Sequence, residues 1–201
     1  MRYEEFTIEG RNAVIEAYRA GRPIDKLFIL DGCQDGPILT IKREAKAKQT
    51  PVKFVTKERL DQLSETGKHQ GVIAYAAAYE YATVEEILDN ARQKGEAPFL
   101  FLLDNIEDPH NLGAIIRTAN LAGAHGVIVP KNRAAGLTAV VAKPSAGALN
   151  FTPVARVTNL AKTIEELKKE GIWFVCADMG GTTMYDLNLK GPIGLGIGNE
   201  G

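Results

Sequence analysis

The most informative segment of the chain reads Leu103-Asp104-Asn105-Ile106-Glu107-Asp108-Pro109-His110-Asn111-Leu112-Gly113-Ala114-Ile115-Ile116-Arg117-Thr118-Ala119-Asn120. It predicts the end of a buried strand, an acidic turn and then a helix. Asp108-Pro109 is a typical helix start, with the aspartate as N-cap and the proline in the first turn. Four apolar residues recur at the helical spacing i, i+3, i+4, i+7 and are predicted to face the core: Leu112, Ile115, Ile116 and Ala119.

Arg117 lies off that apolar face, one turn after Gly113. Because helical side chains lean toward the helix N-terminus, its guanidinium is predicted to cover the turn that holds Gly113. A glycine inside a helix costs roughly 0.5–1 kcal/mol relative to alanine, which predicts open space around the charge. Together with free N–H groups at the helix N-terminus, this predicts an anion-binding pocket. The alternatives are a solvated charge for Arg117 and a capping role for Asn111.

Composition and charge limit the function classes. An apolar fraction of 45% and a charged fraction of 24% over 201 residues are typical of a globular protein with one large or two small domains. The net charge of −1 implies that any RNA or DNA binding must use a local basic patch. Cys33 and Cys176 lack paired spacing, which predicts free thiols, no metal site and a reducing cytosol, with Cys33 in a loop and Cys176 in a buried strand. The polar N-terminus is unlike a signal peptide, and no apolar run approaches the ~18–20 residues of a membrane helix, so a cytoplasmic location without membrane binding is expected.

The pattern of strands and helices predicts two α/β parts. Residues 1–78 predict a small α/β sandwich with helices over 11–20, 37–49 and 57–63 and strands over 26–30, 52–55 and 71–78. Residues 79–97 predict a linker with one helix over 84–94. Residues 98–201 open with an apolar strand over 99–103 and then alternate helices and strands, which predicts a parallel sheet covered on both faces.

Ligands of such sheets bind beyond the carboxyl ends of the strands. The segments 105–117, 130–133, 177–180 and 198–201 are predicted to gather there. Gly194-Leu195-Gly196-Ile197-Gly198 superficially matches a dinucleotide fingerprint, but that fingerprint requires a helix directly after the glycines and an acidic residue about 20 positions on. The alternation instead predicts a buried strand that other backbone approaches closely.

Several segments resemble the SpoU (TrmH-like) family of RNA ribose 2′-O-methyltransferases, a branch of the SPOUT class. Residues 108–119 are similar, position by position, to the first motif of that family, residues 143–148 to the segment between its motifs, and Gly198-Asn199-Glu200-Gly201 to the opening of its second motif. Residues 9–13 and 68–74 resemble its ribosomal-protein-like substrate-binding domain. The layout is most similar to the bacterial subgroup that methylates a guanosine ribose in large-subunit ribosomal RNA.

The resemblance implies an RNA-binding domain over 1–78, a linker over 79–97 and a knotted SPOUT methyltransferase domain over 98–201 that forms a homodimer. The family's third motif, which threads the knot and closes the cofactor pocket, is expected C-terminal to Gly201. The cofactor site of residues 1–201 alone is therefore expected to be incomplete. The alternatives are a transfer-RNA methyltransferase of the same family and an RNA-binding or ribosome-associated module without methyl transfer.

The implied reaction moves a methyl group from S-adenosylmethionine to a ribose 2′-hydroxyl. Because arginine stays protonated in proteins, Arg117 is expected to stabilise developing negative charge rather than act as a base. Asn111 and Glu200 are the other expected catalytic residues. The resemblance and position assign cofactor binding to Gly198, Asn199, Ala177 and Asp178. The candidate RNA contacts are Arg11, Lys68, His69 and Gln70.

Overall fold

The computed structural model describes residues 7–199. These residues form two compact units. The first comprises residues 7–80 together with Gly136–Val140, and the second comprises Tyr81–Ala135 together with residues 141–199. Each unit has its own sheet.

The first unit is a four-stranded mixed sheet with helices on both faces. Its strands lie in the order β1-β4-β2-β3, with β2 parallel to β3 and β4 antiparallel to both β1 and β2. In chain order the elements are β1 (Thr7–Glu9), α1 (Arg11–Arg19), β2 (Ile24–Leu30), α2 (Gly36–Lys48), β3 (Val52–Val55), α3 (Lys57–Leu63) and β4 (Val72–Ala76). The predicted α/β sandwich is thus confirmed. The structure adds β1, which the sequence does not predict because three residues are too few to show the alternation of apolar and polar side chains typical of a strand.

The two faces of this sheet have separate cores. Leu27 and Ile29 of β2 pack against α1 and α2 on one face. Phe28 points to the other face, where it packs with Leu60 of α3. This alternation along β2 is what a strand buried on both faces requires.

The second unit is built on a five-stranded sheet in the order β7-β6-β5-β9-β8, with every pairing parallel. The predicted parallel α/β sheet is confirmed, and the knot stays a prediction. The elements are α4 (Val84–Lys94), β5 (Phe99–Leu103), α5 (Pro109–Leu121), β6 (Gly126–Pro130), α6 (Ala139–Ser145), β7 (Val154–Val157), α7 (Leu160–Lys169), β8 (Trp173–Cys176) and β9 (Ile193–Ile197), with short 3-10 turns at Ala148–Asn150 and Met184–Asp186. The first two residues of α6 are counted with the first unit and the other five with the second.

Helices α4 and α7 cover one face of this sheet. Ile87 of α4, which lies within the predicted linker, and Leu167 of α7 pack with Leu100 and Leu102 of β5. None of the described helices is long and apolar enough to cross a membrane.

Three packing predictions for the second unit need correction. Ile115 is only half-buried, although Leu112, Ile116 and Ala119 are buried as predicted. Cys176 lies on a strand but is exposed rather than buried, because β8 is at the edge of the sheet. The glycines of β9 are approached by side chains of β8, and not chiefly by backbone: a Cβ at Gly194 would overlap the Phe174 ring, and one at Gly196 would lie 2.9 Å from the Cys176 sulfur.

Candidate functional site

The loops that follow the parallel strands of the second unit lie at the same end of its sheet, beyond the carboxyl ends of the strands, as predicted. The backbone N–H of Asp104 donates to the Ile197 carbonyl at 2.9 Å, and that of Ala177 donates to the Gly196 carbonyl at 2.9 Å. These bonds continue the parallel ladders one residue beyond β5 and β8. Asn105 follows with a left-handed backbone, φ 60°, which turns the chain away from the sheet toward α5.

The N-terminus of α5 is closed by its own cap. The Asp108 carboxylate accepts hydrogen bonds from the backbone N–H groups of His110 and Asn111, at 2.6 and 3.4 Å, and Pro109 has no N–H to offer. The predicted cap is therefore confirmed. The predicted free N–H groups are wrong, since Asp108 already occupies them, so any anion-binding character at the start of α5 must come from side chains.

Gly113 does not leave open space, which corrects the prediction from its spacing. A Cβ at this position would lie 2.5 Å from Cγ of Pro144 and 2.6 Å from the carbonyl oxygen of Val141. Helix α6 thus packs directly onto the bare backbone of α5. Gly113 is required because it allows this close approach.

Arg117 lies one turn beyond this contact and is exposed. Among residues 7–199 its guanidinium makes no hydrogen bond or ion pair, and the Asn111 side chain is likewise exposed and makes none. Neither side chain is committed to holding the fold together. Glu200, the third predicted catalytic residue, lies outside the described residues.

The predicted cofactor residues lie in two exposed stretches beyond β8 and β9. Asp178 accepts the backbone N–H of Met179 at 2.7 Å, which forms a tight turn after Ala177. Gly198 and Asn199 are exposed, and a Cβ at Gly198 would meet nothing within 4 Å. Open backbone and a carboxylate acceptor beside parallel strand ends suit the hydroxyls and amino groups of a nucleoside cofactor. The described residues contain no group of three or more His, Cys, Asp and Glu that could hold a metal ion.

The predicted RNA contacts of the first unit lie together at one end of its sheet, where β1, β2 and β3 end and β4 begins. Arg11 donates its backbone N–H to Oε1 of Gln70 at 3.2 Å and its Nε to the Gln70 carbonyl at 3.0 Å. Its Nη2 also pairs with Asp35 at 2.7 Å. Lys68 is exposed beside them. Asp35, whose other carboxylate oxygen caps α2, was not predicted from the sequence, although Asp35-Gly36-Pro37 is a readable helix start.

His69 is buried, and both ring nitrogens are occupied. Nε2 contacts Asp61 at 2.9 Å, and Nδ1 accepts the backbone N–H of Gly71 at 3.0 Å. This geometry favours a role in holding the loop rather than direct contact with a base. His125 has the same kind of environment, between Glu96 and the N–H of Phe99.

Glu9 anchors the loop that leads to Lys68. Its carboxylate accepts hydrogen bonds from the hydroxyls of Ser64 and Thr66, both at 2.6 Å, and from the N–H groups of Glu65 and Thr66, at 2.6 and 3.3 Å. Burial opposes ionisation, but these hydrogen bonds outweigh it and lower the pKa of Glu9 below its ordinary value of 4.5. The charged form of Glu9 therefore stabilises the loop.

Replacing Glu9 with glutamine should loosen this loop, because an amide offers a single acceptor oxygen where the carboxylate offers two. In the native protein, a folded-state pKa below the unfolded one means that the stabilisation is present above about pH 4.5 and is lost as the pH falls through the lowered pKa. Amide exchange of Glu65 and Thr66 at pH 7 compares the two proteins, and a titration of the native protein downward from about pH 4.5 follows the loss of stabilisation. Equal protection in the native protein and the Glu9→Gln variant at pH 7 would contradict the anchoring role.

Two parts of the chain match two different family models. Residues 98–201 match the model of the SpoU rRNA methylase family, and residues 7–82 match the model for RNA 2′-O ribose methyltransferase substrate binding. YacO of Bacillus subtilis, named as a TrmH family tRNA/rRNA methyltransferase, is 46% identical over 194 residues, which are 96% of this chain and 77% of that protein. A protein of the same description from Staphylococcus epidermidis is 44% identical over 199 residues, or 98% of this chain and 80% of that protein.

Solved structures show a similar fold. An rRNA methyltransferase from Sinorhizobium meliloti with AdoMet bound has a TM-score of 0.51 and 25% identity, over 98% of this chain and 71% of that one. The SpoU methyltransferase AviRb from Streptomyces viridochromogenes, in complex with AdoMet, has a TM-score of 0.51 and 24% identity, over 98% of this chain and 74% of that one.

Proposed function

The chain belongs to the SpoU rRNA methylase family, and from this membership we propose that it transfers a methyl group from S-adenosylmethionine to a ribose 2′-hydroxyl, with a guanosine of large-subunit ribosomal RNA as its target. The observation that carries the proposal is the pairing of a methylase match over residues 98–201 with an RNA 2′-O ribose substrate-binding match over residues 7–82. A transfer-RNA target is the second candidate, since the relatives are named for both kinds of RNA.

Arg117 is the residue to which we assign the central step. A ribose 2′-hydroxyl is a very weak acid, so its oxygen gains negative character as it attacks the methyl group and its proton leaves. The permanently charged guanidinium stabilises that oxygen or the adjacent phosphate. The lack of a partner for Arg117 among the described residues supports this role. Glu200 accepts the proton or orients Arg117, and Asn111 hydrogen-bonds Glu200 or the ribose.

S-adenosylmethionine supplies a methyl group that is activated by its attachment to a positively charged sulfur. Gly198, Asn199, Ala177 and Asp178 are proposed to hold it through open backbone and the Asp178 carboxylate. Their position beyond the carboxyl ends of β8 and β9 supports this assignment.

Residues 1–78 are proposed as the RNA-binding domain, 79–97 as a linker whose helix α4 packs on the sheet of the second unit, and 98–201 as the catalytic domain. In the first unit, Arg11 and Lys68 would pair with phosphates and Gln70 would hydrogen-bond unpaired bases. We assign His69 to the same surface indirectly, through the loop that it fixes with Asp61 and Gly71.

Mapping of ribose methylation tests the proposed target. Ribosomal and transfer RNA from cells that lack the gene should be incubated with the purified protein and S-adenosylmethionine, and the methylated nucleotides should then be located. We expect one 2′-O-methylguanosine to appear in large-subunit ribosomal RNA. Methylation of transfer RNA alone would favour the second candidate, and methylation of neither RNA would contradict both.

We also propose that the protein is a homodimer that associates through its second unit. Leu121 and Phe151 are 80% and 78% exposed, and a 3.0 Å hydrogen bond from the Thr152 hydroxyl to the Asn120 side-chain oxygen links the two segments that carry them. Light scattering should report a dimer that the double substitution Leu121→Asp and Phe151→Asp converts to a monomer. Leu39→Asp, at an exposed leucine of the first unit, is the control. An unchanged dimer in the double variant would exclude these two side chains from the interface.

A further inference from the structure

Phe54 is an exposed aromatic side chain on the edge strand β3 of the first unit. Its exposed fraction is 54%, and the ammonium of Lys42 lies 5.0 Å from the centroid of its ring. The attraction between the cation and the ring holds Lys42 over Phe54. A flat apolar side chain beside a fixed positive charge is thus presented to solvent.

A continuous set of contacts joins Phe54 to the proposed RNA residues. Lys42 donates its Nζ to the Cys33 carbonyl at 3.0 Å, and the Cys33 sulfur lies 3.8 Å from Nη2 of Arg11. Arg11 in turn holds Gln70. We refer to Gln70, Arg11, Cys33, Lys42 and Phe54 as the Gln70–Phe54 row.

Charge along this row favours an anionic partner. Lys42 and Lys46 are one turn apart on α2, which places them on the same side of the helix. Two carboxylates of this region pair with arginines, Asp35 with Arg11 at 2.7 Å and Glu44 with Arg43 at 3.9 Å. Because the net charge of the chain is only −1, this concentration of cations is a local feature.

We propose that the RNA-contact surface of the first unit extends along the Gln70–Phe54 row, with an unpaired base stacked on the Phe54 ring and the flanking phosphates bound by Lys42 and Lys46. Single-stranded nucleic acid is bound in this way, by aromatic platforms within a basic track, and every base offers a face for stacking. A protein partner would also cover Phe54, but the cores of such interfaces are depleted in lysine. The inference rests on the proposed function.

Titration of the full protein with a fluorescein-labelled single-stranded RNA of mixed sequence tests the stacking. We expect Phe54→Ala to weaken binding by roughly 5- to 100-fold, the usual range for loss of one stacking platform. Phe54→Tyr should bind RNA as the native protein does, because it keeps an aromatic ring. Phe54→Leu keeps apolar volume but has no ring on which a base can stack, so it should bind as weakly as Phe54→Ala. Leu39→Ala is the matched control, since Leu39 is also 54% exposed and lies on α2 of the same unit.

A second measurement detects the base directly. Trp173 is the single tryptophan of the chain, so Phe54→Trp in a Trp173→Phe background places the only indole on the row. Bound RNA should quench its emission. Lys42→Ala should reduce the slope of log affinity against log salt by about one.

The outcomes separate the two proposals. Native protein that binds RNA while Phe54→Ala binds equally well, or while Phe54→Trp stays unquenched, would overturn the inference and leave the proposed function standing. Full affinity in Phe54→Leu with weak binding in Phe54→Ala would replace base stacking with a simple apolar contact. Native protein that neither binds nor methylates RNA would overturn both.

Discussion

In the full-length protein, replacing Arg117 with alanine is expected to abolish methyl transfer while S-adenosylmethionine affinity stays within a few-fold of the native value. The guanidinium has no internal partner among the described residues, so its removal should leave the fold intact. Loss of one preorganised charge that faces a developing oxyanion lowers turnover by about 10²–10³-fold or more. Single-turnover methylation measures the first effect and calorimetry the second.

Two further variants sharpen this result. Arg117→Lys retains the charge but loses the planar fork, so it should recover only part of the activity. Lys169→Ala removes an exposed cation of α7 and should leave activity unchanged. Lost cofactor binding in Arg117→Ala, together with substantial residual turnover, would move Arg117 from catalysis to the cofactor site.

The second large effect is expected from Gly113→Ala. The new methyl would lie 2.5 Å from Pro144 and 2.6 Å from the Val141 carbonyl, so α5 and α6 must move apart. Overpacking of this kind destabilises a protein by about 1–3 kcal/mol. Because Arg117 is one turn away on the same helix, turnover should also fall. Urea denaturation measures the free energy of unfolding, and single-turnover assays measure activity.

Gly181→Ala is the control for this substitution. Gly181 is exposed and has no positive φ, and a methyl group added there would lie 4.0 Å from the Asp178 carbonyl oxygen, which is an ordinary contact, so alanine should be close to neutral. If Gly113→Ala were as stable as Gly181→Ala, the close packing of α6 on α5 would be contradicted.

Local signals in the sequence predicted the elements well. Asp108-Pro109 marked the start of α5, and the apolar run over residues 99–103 marked a strand buried in a parallel sheet, because caps and periodicity depend on neighbouring residues only. Gly113 also marks a special position, because a glycine inside a helix lowers its stability unless the small side chain is needed there. What fills the space beside it could not be predicted, since Pro144 lies far along the chain and comes close only in the folded unit.

The site residues show the same limit. A histidine between Lys68 and Gln70 has the appearance of a polar loop residue, and only the fold shows that Asp61 and Gly71 occupy both nitrogens of His69. The free N–H groups predicted at the start of α5 conflict with the cap predicted from Asp108-Pro109, and in the structure one Asp108 oxygen accepts two of these groups. The Gln70–Phe54 row was missed because its members come from separate segments of the first unit.

The position of β9 has a consequence for biosynthesis. β9 lies between β5 and β8 in the sheet. Phe99 of β5 can therefore pair with Ile193 of β9 only after Ile193 has left the ribosome. Among the described strands, β8 pairs with β9 alone. The sheet of the first unit is complete by residue 76 and the whole unit by residue 140, so it can fold earlier. Contacts between such distant parts of a chain form slowly and leave strand edges exposed in the meantime. The nascent chain should therefore carry a folded first unit and an open, chaperone-accessible second sheet until its last described strand is synthesised.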